Sequence, residues 1–387
     1  MATTGSGSQQ YTLSEEHEAI RQTVRNFAEE VIEPVAREYD ETHEYPSEII
    51  EEAAEYDFVG PMIPREYGGA GMDMLSTAIV TEELWRADGG IACAIGNNAF
   101  PTNVHILTEY GDEWMCEEWL PAIADGEAHD AIAVSEAAHG SDVAGIEARA
   151  EKDGDEWVLN GSKMWCSNGN VADVVLVFAK TDPEAGHRGI SAFLVPTDVD
   201  GFETNRIDNK FGIHAADLAE LVLDDVRIPE DHLVGERNEA FYYFMESLGP
   251  GRVVVAAQGV GTAQAALEDS ITYAGEREQF GQPIAEFQAI QHKIAEMATK
   301  TEASRALVYQ AASAIDGDDD ATHLASMAKL FASERSVEVA NEAIQIYGGA
   351  GYVTDFPAEK YFRDARITTI YEGTSEIQKN VIADNLL

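Results

Sequence analysis

The chain has 387 residues, 45% of them hydrophobic, enough for two or three domains around a sizeable core. Acidic residues number 71 against 25 basic ones, a formal net charge of −46. Such a surface repels nucleic acid and anionic lipid, so neither is expected as a partner. No stretch approaches the roughly 18 apolar residues of a membrane span, and no membrane insertion is expected. The first ten residues, MATTGSGSQQ, lack the basic start and apolar run of a secretory signal. The acidic charge is spread along the whole chain rather than gathered in a tail. At ~1 M salt the Debye length falls to about 3 Å and screens most of that self-repulsion. The expected setting is a cytoplasm of high salt. Cys93, Cys116 and Cys166 are widely spaced, without a C-x-x-C pair, and the ten histidines show no ligand spacing. Neither a disulfide framework nor a bound metal is expected.

Residues from about 12 to 125 read as helical. Ile20, Val24, Phe27, Val31 and Val35 recur at steps of three and four, the apolar face of one helix. Pro46 opens a new segment. The glycine-rich run EYGGAG (residues 66–71) follows no clear strand and reads as a loop between helices. Residues 75–87 and 103–123 are helical again. Near residue 126 the pattern changes to short apolar runs punctuated by Asp, Gly, Pro and Asn. Residues 131–134, 174–178, 190–195 and 220–223 read as strands, and Asn160-Gly161 as the tight turn of a hairpin. No helices alternate with them, so the expectation is a small antiparallel β-barrel or sandwich. From about 236 the helical pattern returns, at residues 253–274, 287–314, 322–347 and 375–386. Asp316 to Asp320 reads as a solvated turn. The fold class is mainly α with a central β domain. Its parts are an N-terminal helical domain (1–125), a middle β domain (126–235) and a C-terminal four-helix bundle (236–387). Gly259-Val260-Gly261 has no preceding strand and no third glycine in place, so it reads as helix packing rather than a dinucleotide fingerprint.

The candidate for chemistry lies near the end of the chain, in RDARITTIYEGTSEIQ (residues 363–378). Glu372 stands between Tyr371 and Gly373. Ser375 and Gln378 have the spacing of a capping box, with Thr374 as a rival cap. Glu372 is therefore expected in a turn where a last helix begins, where a carboxylate is readily aimed into a cleft. The alternative is a surface glutamate in a chain full of them.

Three runs decide between these. AVSEAAHGSDVAG (133–145) with NGSKMWCSNG (160–169), QIYGGAGYVTDFPAEKYFRD (345–364) and IYEGTSEIQ (370–378) together resemble the acyl-CoA dehydrogenase family over nearly the whole chain. The resemblance implies FAD bound without a dinucleotide fold. It places Val134 and Ser135 at the polar edge of the flavin, Trp165 against the ring, and Ser167 near its N5, where threonine is more usual. Arg277, Gln279 and Phe280, of the motif EREQFG, fall at cofactor-binding positions, with Arg277 meeting the FAD pyrophosphate as a charge-assisted partner. Phe287 and Gln288 match further flavin-contacting positions, and Gln345, Gly348 and Gly349 lie in a stretch whose backbone would approach the ADP half of FAD, the half that the family binds with a neighbouring subunit. Thr374 and Glu376 fall at the last FAD-contacting positions. Ser141 matches a cofactor- and substrate-contacting position, and Arg252 and Gly373 match substrate-contacting ones. Ala137 and His139 depart from the family pattern, and His139 reads as a loop residue. Cys166, between Trp165 and Ser167, would alternate to the opposite strand face and pack there.

The activity implied is α,β-dehydrogenation of an acyl-CoA thioester. Glu372 would take the α-proton, and flavin N5 the β-hydride. Some relatives carry the base just before the arginine matching Arg252, but here that residue is Gly251. The implied partners are an acyl-CoA substrate, an electron-transfer flavoprotein as acceptor, and further copies of the chain, at least a dimer and usually a dimer of dimers. A flavin oxidase of the same superfamily and a non-catalytic acyl-CoA-binding protein are the competing readings; the length and the Tyr-Glu-Gly-Thr run favour the dehydrogenase. From the charge alone, the thermal midpoint is expected to rise between 0.1 and 2 M KCl. Thermal unfolding across that range checks it, and a flat or falling curve contradicts a high-salt origin.

Overall fold

The computed structural model describes residues 13–317 and 321–387. The ten N-terminal residues read for a signal, and Asp318 to Asp320 of the expected turn, lie outside the described residues. Seven helices build the first part: α1 (Glu15–Phe27), α2 (Ala36–Thr42), α3 (Ser47–Ala54), α4 (Met74–Ala87), α5 (Gly89–Gly96), α6 (Pro101–Tyr110) and α7 (Glu113–Ala124). The apolar face starting at Ile20 is not one helix. α1 ends at Phe27, a π-turn covers Ala28–Ile32, and Pro34, which has no N–H to donate, lies in the break before α2. The expected helix over 103–123 likewise divides, at Gly111-Asp112.

The middle part is one sheet of β1 (Asp130–Ala133), β2 (Arg149–Asp153), β3 (Glu156–Ser167), β4 (Val174–Lys180), β5 (Ile190–Pro196), β6 (Phe202–Arg206), β7 (Leu218–Pro229) and β8 (Leu233–Val234). Its order is β6-β7-β3-β2-β4-β5-β8, with β1 also against β4. The path does not close, so β6 and β8 are edges. Most pairs are antiparallel, but β1 and β2 both run parallel to β4. β4 is buried on both faces, as its unbroken apolar run requires. Val175, Val177 and Ala179 face the sheet's own core with Trp157, Phe193 and Leu221. Val174, Leu176 and Phe178 join Ile106, Leu107, Met115 and Leu120 of α6 and α7. That shared core fixes the sheet against the helices.

Asn160-Gly161 is not a turn. β3 runs straight through it with a bulge against β7. Asn160 exchanges two 2.9 Å hydrogen bonds with Asp225 across the strands. A Cβ at Gly161 would lie 2.8 Å from Ala148 Cα, so the glycine serves close approach. The tight turn is at Gly154-Asp155, between β2 and β3.

The last part comprises α8 (Ala240–Glu276), a short hairpin of β9 (Glu278–Gln279) and β10 (Gln282–Pro283), α9 (Gln288–Asp316), α10 (Thr322–Tyr347), α11 (Ala358–Ile367) and α12 (Ser375–Leu386). α8 begins well before residue 253 and carries Pro250 inside it. Burial of its middle against α4, α9 and α10 outweighs the local breaker Gly-Pro-Gly. Gly259 and Gly261 are packing glycines. Their Cβ positions would lie 3.0 Å from Ala332 O of α10 and 2.3 Å from Glu82 O of α4. The α4–α9 seam also buries charge: Arg305 Nε donates to Glu82 Oε1 at 2.8 Å, and Tyr309 Oη donates to Glu82 Oε2 at 2.6 Å. On intrinsic preference, alanine at 261 would gain ~1 kcal/mol over glycine in a helix. Because its methyl meets backbone, Gly261→Ala is expected instead to lose about 2 kcal/mol net, read by denaturant unfolding.

Candidate active site

α11 sets the approach to the site. Arg363 donates to Asp40 of α2 at 2.7 and 3.2 Å, Lys360 pairs with Asp88 at the α5 N-cap at 2.7 Å, and Ile213 N of the sheet part donates to Asp364 at 2.6 Å. All three parts of the chain therefore meet on this helix, and a turn of residues 368–374 leads from it into α12. Thr374, not Ser375, caps α12: its hydroxyl accepts from Ile377 N at 3.4 Å. The side chain of Gln378 does not close a capping box. Its amide turns back and donates to the carbonyls of Glu372 and Gly373, 3.0 Å each. Glu372 and Gly373 have φ of 52° and 88°. A glutamate in that left-handed region costs about 1–2 kcal/mol, which the buried donors on its carbonyl side offset. Lys329 of α10 is a further such donor, to Gly373 O at 2.6 Å. The Glu372 N–H donates to no acceptor among the described residues.

This turn drives the Glu372 carboxylate inward. The residue as a whole is half-buried, but Oε2 is buried and has no hydrogen-bond partner. It lies 3.0 Å from where a Cβ on Gly251 would be; Phe100 Cε1 lies 3.0 Å and Thr102 Oγ1 3.2 Å from the same point. The missing side chain of Gly251 thus makes room for the carboxylate. Arg252, the next residue of α8, is 5% exposed, and its Nε also lacks a partner, as does Thr102 Oγ1. Burial pushes the Glu372 carboxyl above the ordinary carboxylate range; Arg252 and then Lys329 pull against that shift. Unpartnered buried polar atoms converging on one point mark where another molecule's polar groups are needed.

Asp130, at the start of β1, ties this point to the sheet. Its Oδ1 accepts from Ala99 N at 2.6 Å and its Oδ2 from Asn103 Nδ2 at 2.7 Å, which fixes the segment carrying Phe100 and Thr102. β1 leads into Val134 and Ser135. Their carbonyls are held from β3, Val134 O by buried Lys163 at 3.1 Å and Ser135 O by Met164 N at 2.9 Å. Next along β3, Trp165 has φ of 65° and is 59% exposed, a large ring offered to another flat group. Cys166 turns inward and is buried in the sheet core. Ser167 follows, half-buried, at the end of the strand. Ser141 is exposed. His139 packs over Gly145 and lies 3.8 Å from Asp142.

The other expected residues gather elsewhere. Arg277, Gln279 and Gln288 are exposed, Phe280 is 96% exposed, and Phe287 packs with Tyr347 and Ala350 at one end of the helical bundle. Gln345, Gly348 and Gly349 are exposed at that same end, and the two glycines face open space. Arg252 and Arg277 are 25 residues apart in sequence, roughly 38 Å at helical rise. One chain does not bring these two sets together. Thr374 and Glu376 stay with Glu372 at the start of α12.

A cavity opens along the same face of α8, one and two turns on from Gly251, at Val254 and Gln258. Phe58, Met62, Val80, Leu84 and Trp85 line it with Ala99 and Pro101, which flank Phe100. Tyr371 Oη donates to Gln258 Oε1, joining the cavity to the Glu372 turn. Thr77 and Thr81 line the cavity too, but their hydroxyls bond to carbonyls of their own helix at 2.9 Å, which leaves methyl groups for the cavity.

A long helical frame surrounds an open sheet, and a buried carboxylate in a turn faces a glycine on a central helix near an apolar cavity. Residues 14–127, 131–226 and 238–387 match the N-terminal, middle and C-terminal domains of acyl-CoA dehydrogenase. The chain belongs to the acyl-CoA dehydrogenase family, whose members depend on FAD. It is 41% identical over 377 residues to a 3-(aryl)acrylate reductase of Clostridium sporogenes, covering 97% of this chain and 99% of that protein. It is 40% identical over 381 residues to a mitochondrial short-chain specific acyl-CoA dehydrogenase of Bos taurus, covering 98% and 92%. The butyryl-CoA dehydrogenase structure of Megasphaera elsdenii superposes with a TM-score of 0.93 at 36% identity, covering 97% and 99%. Exposed Trp165, together with the open faces at Gly348 and Gly349, is compatible with a flat dinucleotide cofactor lying outside the chain's own core.

Sequence reasoning missed Thr102 and Lys329. Thr102 had no local signal, since it becomes informative only beside Gly251. Lys329 had one: it sits on the small-residue face of α10 with Ala325, Ala328, Ala332 and Ser336, where a cation has no solvent to reach. Gly251→Ala tests the shared space. The helix gains from alanine, so the thermal midpoint is expected to hold or rise, while a carboxylate displaced by a few tenths of an ångström lowers kcat about tenfold.

Proposed function

We infer that this enzyme removes the α-proton and β-hydride of a short, uncharged acyl-CoA thioester, giving the trans-2-enoyl-CoA, with Glu372 as the base. The observation that carries this reading is the Glu372 carboxylate, buried with an orphaned Oε2 in a turn that Tyr371 ties to Gln258 of an apolar cavity. Its raised pKa brings a carboxylate closer to neutral working pH, as a general base requires. Arg252 and Lys329 oppose that rise and favour the ionised form. The free Glu372 N–H is a ready donor to the thioester oxygen as negative charge builds on it. Bound FAD supplies the hydride acceptor. Val134, Ser135, Trp165 and Ser167 would hold its ring, and Thr374 and Glu376 would meet it from the α12 side.

Arg277, Gln279, Phe280, Phe287, Gln288, Gln345, Gly348 and Gly349 are too far along the bundle to serve the same FAD from the same chain. This supports their donation to a neighbouring copy, and hence a dimer or a dimer of dimers. Arg252 and Gly373 would contact the thioester end, and Ser141 the CoA side. Among the described residues the cavity lining includes no lysine, arginine or histidine, which favours a neutral acyl group over a dicarboxylic one. Its bulky wall at Leu84 and Trp85, with the short-chain and butyryl-CoA relatives, favours a short chain. An electron-transfer flavoprotein is the electron acceptor of this reading, and a high-salt cytoplasm its setting.

Butyryl-CoA added anaerobically to the FAD-loaded protein is expected to bleach the flavin, and glutaryl-CoA to do so at least tenfold more slowly. Glu372→Gln is expected to stay yellow and bind the thioester while losing turnover by more than about a thousandfold. Retained turnover in that variant would falsify the assignment of the base.

A further inference from the structure

Lys329 is among the largest fully buried side chains of the protein, enclosed on the inner face of α10. A solvated ammonium carries its own water shell; this one has given that up. Among the described residues its Nζ makes one hydrogen bond, to Gly373 O. An apolar side chain of similar size would fill the same gap without the cost of desolvating a charge. The location therefore demands an electrostatic account.

The geometry points to Lys329 as a positioning residue for the Glu372 base: clamped on the Gly373 carbonyl, it fixes the left-handed turn and keeps the buried carboxylate in its charged, proton-accepting form. This inference rests on the reading of Glu372 as the base. Three buried groups approach that turn, and they divide the work. Gln378 holds both carbonyls but brings no charge. Arg252 brings charge, but its Nε holds nothing. Lys329 does both. The groups that face it are Glu372 in the turn, Arg252 from α8 and Glu376 at the start of α12. Burial and Arg252 push the Lys329 ammonium down, to about 8, while the two glutamates oppose that shift. Tyr371, beside the base, is held far above its ordinary range by burial and stays neutral. Below about pH 8 the lysine therefore carries its charge, the interval in which a raised glutamate needs it.

The sign of the effect follows. A cation near a carboxylate favours the ionised form, so removing it raises the carboxyl pKa and moves the acid limb of kcat/KM upward. In FAD-loaded Lys329→Gln, which keeps a donor but no charge, that limb is expected to rise by about one pH unit with butyryl-CoA. Lys329→Met is expected to show the same rise and, having lost the donor, a plateau about tenfold lower. Lys329→Arg is expected to restore the parental limb. A folded, yellow Lys329→Gln whose acid limb has not moved overturns the inference, and so does a limb displaced equally in Lys329→Arg. If the variants do not fold, the parent protein decides. The 13C signal of the Glu372 carboxyl, assigned by its absence from Glu372→Gln, is expected to titrate in two steps, one of them near pH 8. A single step with none near pH 8 overturns it. Failure of the underlying base reading looks different: Glu372→Gln would then turn over normally, whatever the Lys329 variants do.

Discussion

A carboxylate taken out of water without a hydrogen bond at Oε2 is the constraint around which the site is arranged. Left alone, such a group would take up a proton and lose its charge. Arg252 and Lys329 oppose this from two helices, and neither forms a tight ion pair with it. Closer pairing would pull the carboxyl down and make it a poor base. Complete isolation would leave it protonated. Glu372 lies between these limits, with Arg252 and Lys329 acting on it through charge.

Such a balance requires the backbone under Glu372 to stay still, and the fold supplies that from several directions. α11 is pinned to α2, to the α5 N-cap and to the loop at Ile213, so the turn following it inherits a fixed origin. Gln378 and Lys329 hold the far side of the turn. Asp130 fixes Ala99 and Asn103, and with them the Phe100 and Thr102 side chains that border the carboxylate. The sheet and the helical parts thus meet at the site through directional hydrogen bonds, which tolerate less displacement than apolar contacts do.

Much of this was legible in the residues. The bounds of α10 and α12 follow their apolar spacing, and β4 and β5 follow their uninterrupted apolar runs. Glu372, in its turn before a helix, and the packing role of Gly259 and Gly261 were also readable. Failures came where long-range packing overrode a local signal. Asn160-Gly161 has the composition of a hairpin turn, yet Ala148 and Asp225 hold it in a strand. Gly249-Pro250-Gly251 has the composition of a break, yet α8 continues through it because the stretch from Gly251 to Ala263 is buried against its neighbours. α11 escaped notice because its surface is strongly charged, and those charges are spent on partners distant in sequence. The orphaned atoms of Thr102 and Arg252 have no counterpart in one dimension: being unpartnered is a property of three-dimensional surroundings.

The void at Gly251 has a corollary. The family resemblance allows a base either in the turn or on α8 one residue before the arginine. In this packing the two locations open onto nearly the same few cubic ångströms. A carboxylate on each would be two like charges competing for one buried space, so a side chain at 251 and the Glu372 carboxylate exclude each other.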